Sequence, residues 1–437
     1  MKSLFVLFLL MLSPASAIQA QTSFPEDIKP LLKTHWSQDD PFNRLCPLID
    51  IASKKVRMKA GCGPVTMAQL ICYHQFPSMS PDGKFVYHWN LMFKSTDEPL
   101  SQNQVTSVAK LINDCGVSAF TTYGEEASST FIVGMLQALK RHYHYSKYAW
   151  MASREQLAKI YGSDAEWCRL IYENLKGNRP VVMRGSYADN SKQGHVFIVD
   201  GCKGNKIHTN MGWGGHMDGY YHLDVTGFSA KQAALMDMAD STYRPEIKTF
   251  KVEKPGMLAS LVDTLAKASF HHVKIIGGID HNDWLVLKAL GMTTMASLDL
   301  TETTITEVPD SAMAGCGQLT YVRLPATVKF IGRDAFRRCV SLNNVDMPSA
   351  LKRIGSGAFS GCRGLIEIDL PEGLESIGAN AFNGCRSLIE VEVPASVKRV
   401  GNYAFAHCRN LWRLDFKGNV EKMGVDVTED CAKLRKV

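Results

Sequence analysis

No Cys-x-x-Cys pair occurs anywhere in this chain, and no group of histidines stands at zinc spacing. A metal site is therefore not expected, and no cofactor-binding motif replaces it. Beyond the first residues, no apolar run approaches the ~20 residues that a membrane-spanning helix needs. Charge of one sign is also scarce: 49 Lys and Arg stand against 43 Asp and Glu, a net +6 over 437 residues. The basic residues are scattered, without an aromatic-interleaved stripe, which argues against a nucleic-acid partner. At 45% hydrophobic and 21% charged, the composition is that of a globular protein too long for one ordinary core.

What is present begins with "MKSLFVLFLLMLSPASAIQA". A lysine precedes an apolar stretch from Leu4 to Leu12, followed by small residues of A-x-A type, the pattern of a secretory signal peptide. Residues 1–20 are thus expected to be removed, leaving a secreted, cell-surface or periplasmic protein.

The second half repeats. Cys316, Cys339, Cys362, Cys385, Cys408 and Cys431 are each 23 residues apart. Phe336, Phe359, Phe382 and Phe405 keep the same register, as do Ile331, Ile354, Ile377 and Val400. Between them run "YVRLP", "NVDMP", "EIDLP" and "EVEVP", alternating stretches closed by proline that predict short strands. Such units cannot bury an apolar face alone, so the period predicts a solenoid in which Phe and Cys side chains stack as ladders. Small buried thiols are expected there, since free cysteine is among the most buried residue types.

Six cysteines remain in the first half, and one stands apart. In "KAGCGPVTMAQL", Cys62 lies between glycines and opens an apolar-periodic run, so it is predicted at a helix N-terminus. The helix dipole there favours a thiolate, and the glycines leave room for a substrate backbone to approach. Further helices are predicted in "NQVTSVAKLINDCG", in "STFIVGMLQALKRH" with Ser128 or Ser129 as cap, and in "SDAEWCRLIYENLKGN". "RPVVMRG", "GHVFIVDG", "NKIHTNMGWGG" and "GYYHLDV" then predict an antiparallel sheet, an α+β order with a cleft between helices and strands. His195, opening "GHVFIVDG", follows Cys62 at the ~130-residue spacing of papain-type thiol enzymes. A cysteine at a helix start is more often buried than reactive, and a lone histidine more often structural. Their joint order and context favour a nucleophile and its base.

Residues 24 to about 243 resemble the streptopain family of cysteine peptidases, which have a papain-like fold. The resemblance rests on "WSQDDPFNRLCP", "AGCGPVTMAQLICYHQFP", "GHVFIVDGCKGNKIHTNMGWGGHMDGYYHLD" and "QAALMDM", in that order. It implies that Cys62 is the nucleophile, His195 the general base and Gln38 an oxyanion donor. The family's third motif usually reads N-W-G-W-G-G. Met211 here replaces its first tryptophan, leaving Asn210 and Trp213 as candidates for orienting the imidazole. Family members carry a sizeable propeptide, for which the stretch before Trp36 is too short. The repeats resemble the leucine-rich repeats of BspA-like surface antigens, which implies a protein or glycan ligand.

The expected organisation is a signal peptide (1–20), a papain-like cysteine peptidase domain (21–243), a linker and repeat cap (244–295) and a leucine-rich-repeat solenoid (296–437). The leading expectation is an exported cysteine endopeptidase acting on protein or peptide substrates. Alternatives are a surface adhesin with an inactive peptidase-like domain, or an acyl transferase using the same dyad.

Overall fold

A computed structural model describes residues 23–51, 53–97, 99–187, 194–223, 227–263 and 270–434. The expected signal peptide lies outside the described residues. Among those described, no helix is long and apolar enough to cross a membrane.

A short hairpin, β1 (Leu48–Ile51) and β2 (Lys54–Arg57), leads into α1 (Cys62–His74). The helix begins where Gly61 turns the chain at φ 90°, a conformation that suits glycine. Pro64 sits in the first turn, where its missing N–H costs nothing. Gly63 through Ile71 are all buried, which makes α1 the central helix of this half. Beside it run α2 (Gln102–Ser118), opened by a Ser101–Gln104 capping box, and α3 (Ile132–His142). Neither Ser128 nor Ser129 caps α3, contrary to expectation. Ser128 Oγ instead donates to the Lys59 carbonyl, Ser129 pairs with Thr122, and the helix starts after Phe131.

Next come β3 (Trp150–Ser153), α4 (Arg154–Tyr161), α5 (Ala165–Lys176), β4 (Val181–Ser186), β5 (Gly194–Lys203), β6 (Lys206–Asn210), β7 (Gly219–Tyr221) and β8 (Ala230–Met236). The strands form one antiparallel sheet in the order β3-β8-β4-β5-β6-β7. Strand alternation divides its side chains. Val182, Ile198 and Leu235 pack with Leu70, Ile71, Ile112 and Leu139 of α1 to α3. Met183, Phe197 and Val199 face the other way, onto Trp167, Ile171 and Leu175 of α5. The expected helical half and sheet half are thus modified: α5 covers the second face, because β5 is apolar on both sides and neither can stay wet.

The chain then enters β9 (Lys248–Val252), α6 (Leu258–Asp263), β10 (His272–Gly277), α7 (His281–Thr293) and β11 (Ser297–Thr303). Short strands follow: β12 (Glu307–Val308), β13 (Tyr321–Arg323), β14 (Phe330–Ile331), β15 (Asn344–Asp346), β16 (Arg353–Ile354), β17 (Ser376–Ile377), β18 (Glu390–Val393), β19 (Arg399–Val400), β20 (Arg413–Phe416) and β21 (Lys422–Met423). They pair in parallel as β9-β10-β11-β13-β15, β12-β14-β16-β17-β19-β21 and β18-β20. "EIDLP" forms no strand. Backbone bonds at its edge, Ile366 N to Asn343 O and Ile389 N to Ile366 O, both 3.3 Å, help bridge that gap, with Asn344 Nδ2 donating to Glu367 at 3.2 Å.

Phe336, Phe359, Phe382 and Phe405 stack with centroids 5.2–5.3 Å apart and planes within 8°. All twelve cysteines are free thiols. Those of the repeats are more than small hydrophobes. Cys339, Cys362, Cys385 and Cys408 donate to the carbonyls of Met313, Phe336, Phe359 and Phe382 at 3.0–3.3 Å. Each thiol thereby satisfies a buried carbonyl of an earlier turn.

The two halves share a packed seam. His271 and His272 face buried Glu166 (2.8 Å) and Asp237 (3.1 Å) of the first half, and Trp150 stacks on His271 at 4.7 Å. α3 lies along the repeats, with Gln137 bonded to Ser387, Lys140 to Asn343, and Arg141 3.8 Å from Glu390.

Candidate active site

Cys62 is the first residue of α1 and is partly buried, with its thiol against the Val196 backbone of β5. The Thr66 hydroxyl, one turn on, donates to Val196 O at 3.3 Å and ties the helix to the strand. The flanking glycines also have a reason within the chain. A Cβ on Gly61 would come 2.9 Å from Ser128 Cβ, and one on Gly63 2.6 Å from Thr130 Cβ. The segment before α3 therefore presses on both sides of the nucleophile candidate.

Burial raises the thiol pKa, while hydrogen bonds from the Val196 and Gly63 backbones pull it down; burial prevails. Burial thus opposes the helix terminus, which favours a thiolate.

His195, adjacent to Val196 on β5, is buried. Its Nε2 donates to the Met211 carbonyl at 2.8 Å. That carbonyl only accepts, so Nε2 carries the proton and the neutral ring presents a bare Nδ1. Burial lowers the imidazole pKa to about 4, with the Met211 bond acting in the opposite sense. The Trp213 ring lies 4.3 Å from the imidazole, centroid to centroid, and Phe228 lies at 5.4 Å. Among the described residues no hydrogen bond joins Cys62 to His195.

Gln38 is half-buried, and its carbonyl accepts from Ala60 N at 2.9 Å, two residues before Cys62. Gly214 N donates to Trp36 O at 3.0 Å, so the loop after Asn210 lies against the segment that carries Gln38. Among the described residues no hydrogen bond joins Asn210 to the imidazole. Its Oδ1 accepts from Gln69 Nε2 (2.9 Å) and Gly212 N (3.2 Å), and its Nδ2 donates to Thr34 O (2.6 Å). Asp218 accepts from Met211 N at 2.7 Å and bonds His35 at 2.8 Å.

Cys62 thus lies against the backbone of Val196, the neighbour of His195, Trp213 lies beside the imidazole, and the Gln38 backbone is bonded to Ala60. Sequence reasoning missed Gln69, Asp218 and the Met211 carbonyl. Gln69 had a visible signal: Cys62, Thr66 and Gln69 stand at i, i+4 and i+7, a polar stripe on an otherwise buried helix. Among the described residues no cluster of three His, Cys, Asp or Glu could hold a metal ion.

With this geometry in hand, comparison with known proteins is informative. Residues 36–221 match the Peptidase C10 family, and residues 306–435 match six copies of the BspA type leucine rich repeat region. Streptopain of Streptococcus pyogenes is 27% identical over 226 residues, covering 45% of this chain and 55% of streptopain. The thiol protease/hemagglutinin PrtT of Porphyromonas gingivalis is 26% identical over 241 residues, 49% of this chain and 26% of PrtT. The chain therefore spans about half the length of streptopain and a quarter of PrtT. Among solved structures, Prevotella intermedia interpain A aligns with a TM-score of 0.42 at 24% identity, over 48% of this chain and 94% of interpain. A leucine-rich repeat protein from Bacteroides ovatus aligns with a TM-score of 0.30 at 32% identity, over 32% of this chain and 38% of that one. The chain thus joins a segment, residues 36–221, that matches the Peptidase C10 family to a segment, residues 306–435, that matches BspA-type leucine-rich repeats.

Proposed function

We propose that this protein is an exported cysteine endopeptidase with a papain-like catalytic domain. Residues 1–20 act as its signal peptide, and residues 244–295 cap a solenoid of 23-residue coils that binds a protein or glycan. The observation that carries the catalytic reading is the placement of Cys62 at the start of α1, beside the amide next to His195.

In this reading the resting pair is a neutral thiol and a neutral imidazole, since burial raises the one pKa and lowers the other. Substrate attack and proton transfer go together: the thiol proton passes to His195 Nδ1 as sulfur bonds to the peptide carbonyl carbon. The Gln38 amide and the Cys62 N–H receive the developing oxyanion; one such donor is commonly worth ~3–4 kcal/mol. Among the described residues the Gln38 amide makes no hydrogen bond and is available for this. Imidazolium Nδ1–H then protonates the leaving amine, the C–N bond breaks, and a thioester remains. Water gives a proton to Nδ1 and attacks the thioester, releasing the acid and the thiol. Trp213 covers the imidazole face throughout.

The test is a peptidyl epoxide that alkylates catalytic thiols. Label mapped to Cys62, with casein cleavage abolished in Cys62→Ala, is the expected result. Label spread over several cysteines, or cleavage surviving in Cys62→Ala, defeats the assignment. One alternative is a non-catalytic adhesin that binds through its repeats. Absence of both labelling and cleavage is its signature.

A further inference from the structure

We infer that Gln69 is a positioning residue of this site, setting His195 through Asn210 and the Met211–Gly212 peptide group. The inference rests on the reading of His195 as the base. The carbonyl of that peptide group accepts His195 Nε2–H at 2.8 Å, and its N–H, on Gly212, donates to Asn210 Oδ1 at 3.2 Å. A peptide whose N–H is engaged is polarised, which strengthens its carbonyl as an acceptor. Asn210 thus acts on the imidazole across one peptide unit, with no hydrogen bond of its own to the ring.

Gln69 holds Asn210 in the orientation this needs. Its Nε2 donates to Asn210 Oδ1 at 2.9 Å, and its Oε1 accepts from Trp36 N at 3.2 Å. The far side of Asn210 donates to Thr34 O at 2.6 Å. Each amide oxygen therefore faces donors, and each amide nitrogen an acceptor, so neither side chain can flip without losing bonds. Gln69 is fully buried and Asn210 is 3% exposed, so a broken bond here has no water to replace it.

The network joins the carriers of all three reacting groups: α1 with Cys62, the segment from Thr34 to Gln38, and the loop that receives His195. It also accounts for Met211. Its side chain is fully buried in the core cluster that holds Phe197 and Phe228, and its backbone carbonyl bonds the ring. A residue other than tryptophan at this place leaves the orienting acceptor intact.

The experiment compares the full chain with Gln69→Glu and Gln69→Leu. Glu keeps the shape but sets an acceptor against Asn210 Oδ1, and Leu removes both bonds. On a peptide substrate, kcat should fall on the order of 100-fold, as for a misplaced reacting group, with KM within about twofold. Nitrogen NMR of His195 gives a readout independent of turnover. The parent should show the Nε2-protonated tautomer, and both variants a mixture. A parent ring protonated at Nδ1, or variants that keep the parental tautomer and kcat, would overturn the inference. A parent without peptidase activity but with the Nε2 tautomer, lost in the variants, would reject the catalytic reading and keep the positioning role.

Discussion

At Cys62 two tendencies compete, the helix terminus favouring a thiolate and burial opposing it, and the outcome is measurable. Alkylation of Cys62 by iodoacetamide should climb with pH above about 8.5, the ordinary thiol range. A rate already at its plateau near pH 6 would mean a preformed ion pair. The buried histidines give a second readout. His195 and His74 are each lowered to about 4 by burial, from an ordinary value near 6.5. Below pH ~6.5 the unfolded chain binds protons that the native state refuses, so stability is full above that pH and falls as pH drops toward 4. Each histidine should cost on the order of 3 kcal/mol by then. Urea denaturation at pH 7 and 4.5 tests this, and His74→Gln should lose less on acidification than the parent. An equal loss would rule out His74 as a contributor. At this scale sequence legibility followed chemistry. Cys62 and His195 stand out because thiol and imidazole are reactive types in a telling order. The Met211 carbonyl does not, because every residue has one.

Among elements, α1, α2 and α5 were readable because apolar spacing and end signals agree in them. α4 escaped, since eight residues with one buried leucine make a weak pattern. β8 was recognised only as a family segment, "QAALMDM", although it sits between β3 and β4 in the sheet. The start of α3 was misread because Ser128 spends its hydroxyl on Lys59. The repeats were the most legible part, each position being written several times over. Their stacked rings support a direct prediction. Phe359 is fully buried between Phe336 and Phe382, so Phe359→Ala should destabilise by ~3–5 kcal/mol. Denaturation should show the loss; a change below about 1 kcal/mol would mean that the coils collapse around the gap.

For the whole molecule, sequence boundaries suggested separable parts, and the seam argues for a joint body. No local pattern announces that His271 and His272 will meet Glu166 and Asp237, because long-range partners leave no trace in spacing. Removing residues 248–437 would strip Trp150 of its stacked ring and take one partner each from Glu166 and Asp237, which keep Arg169 and the Trp150 and Tyr243 donors. Tyr148 and Trp150, buried against His271, His272 and Tyr321, would be uncovered, and exposing such aromatic surface is destabilising. The truncated chain should melt below the parent and bind a hydrophobic dye. Unchanged melting and unchanged peptide cleavage would establish two autonomous halves.

The position of α3 carries a further consequence. Gln137, Lys140 and Arg141 occupy Ser387, Asn343 and Glu390 on one face of the repeats. A visitor to that face must displace a helix whose leading segment presses on Gly61 and Gly63. Capture and catalysis would then be rivals for one strip of surface, and a ligand held there would loosen the walls around Cys62.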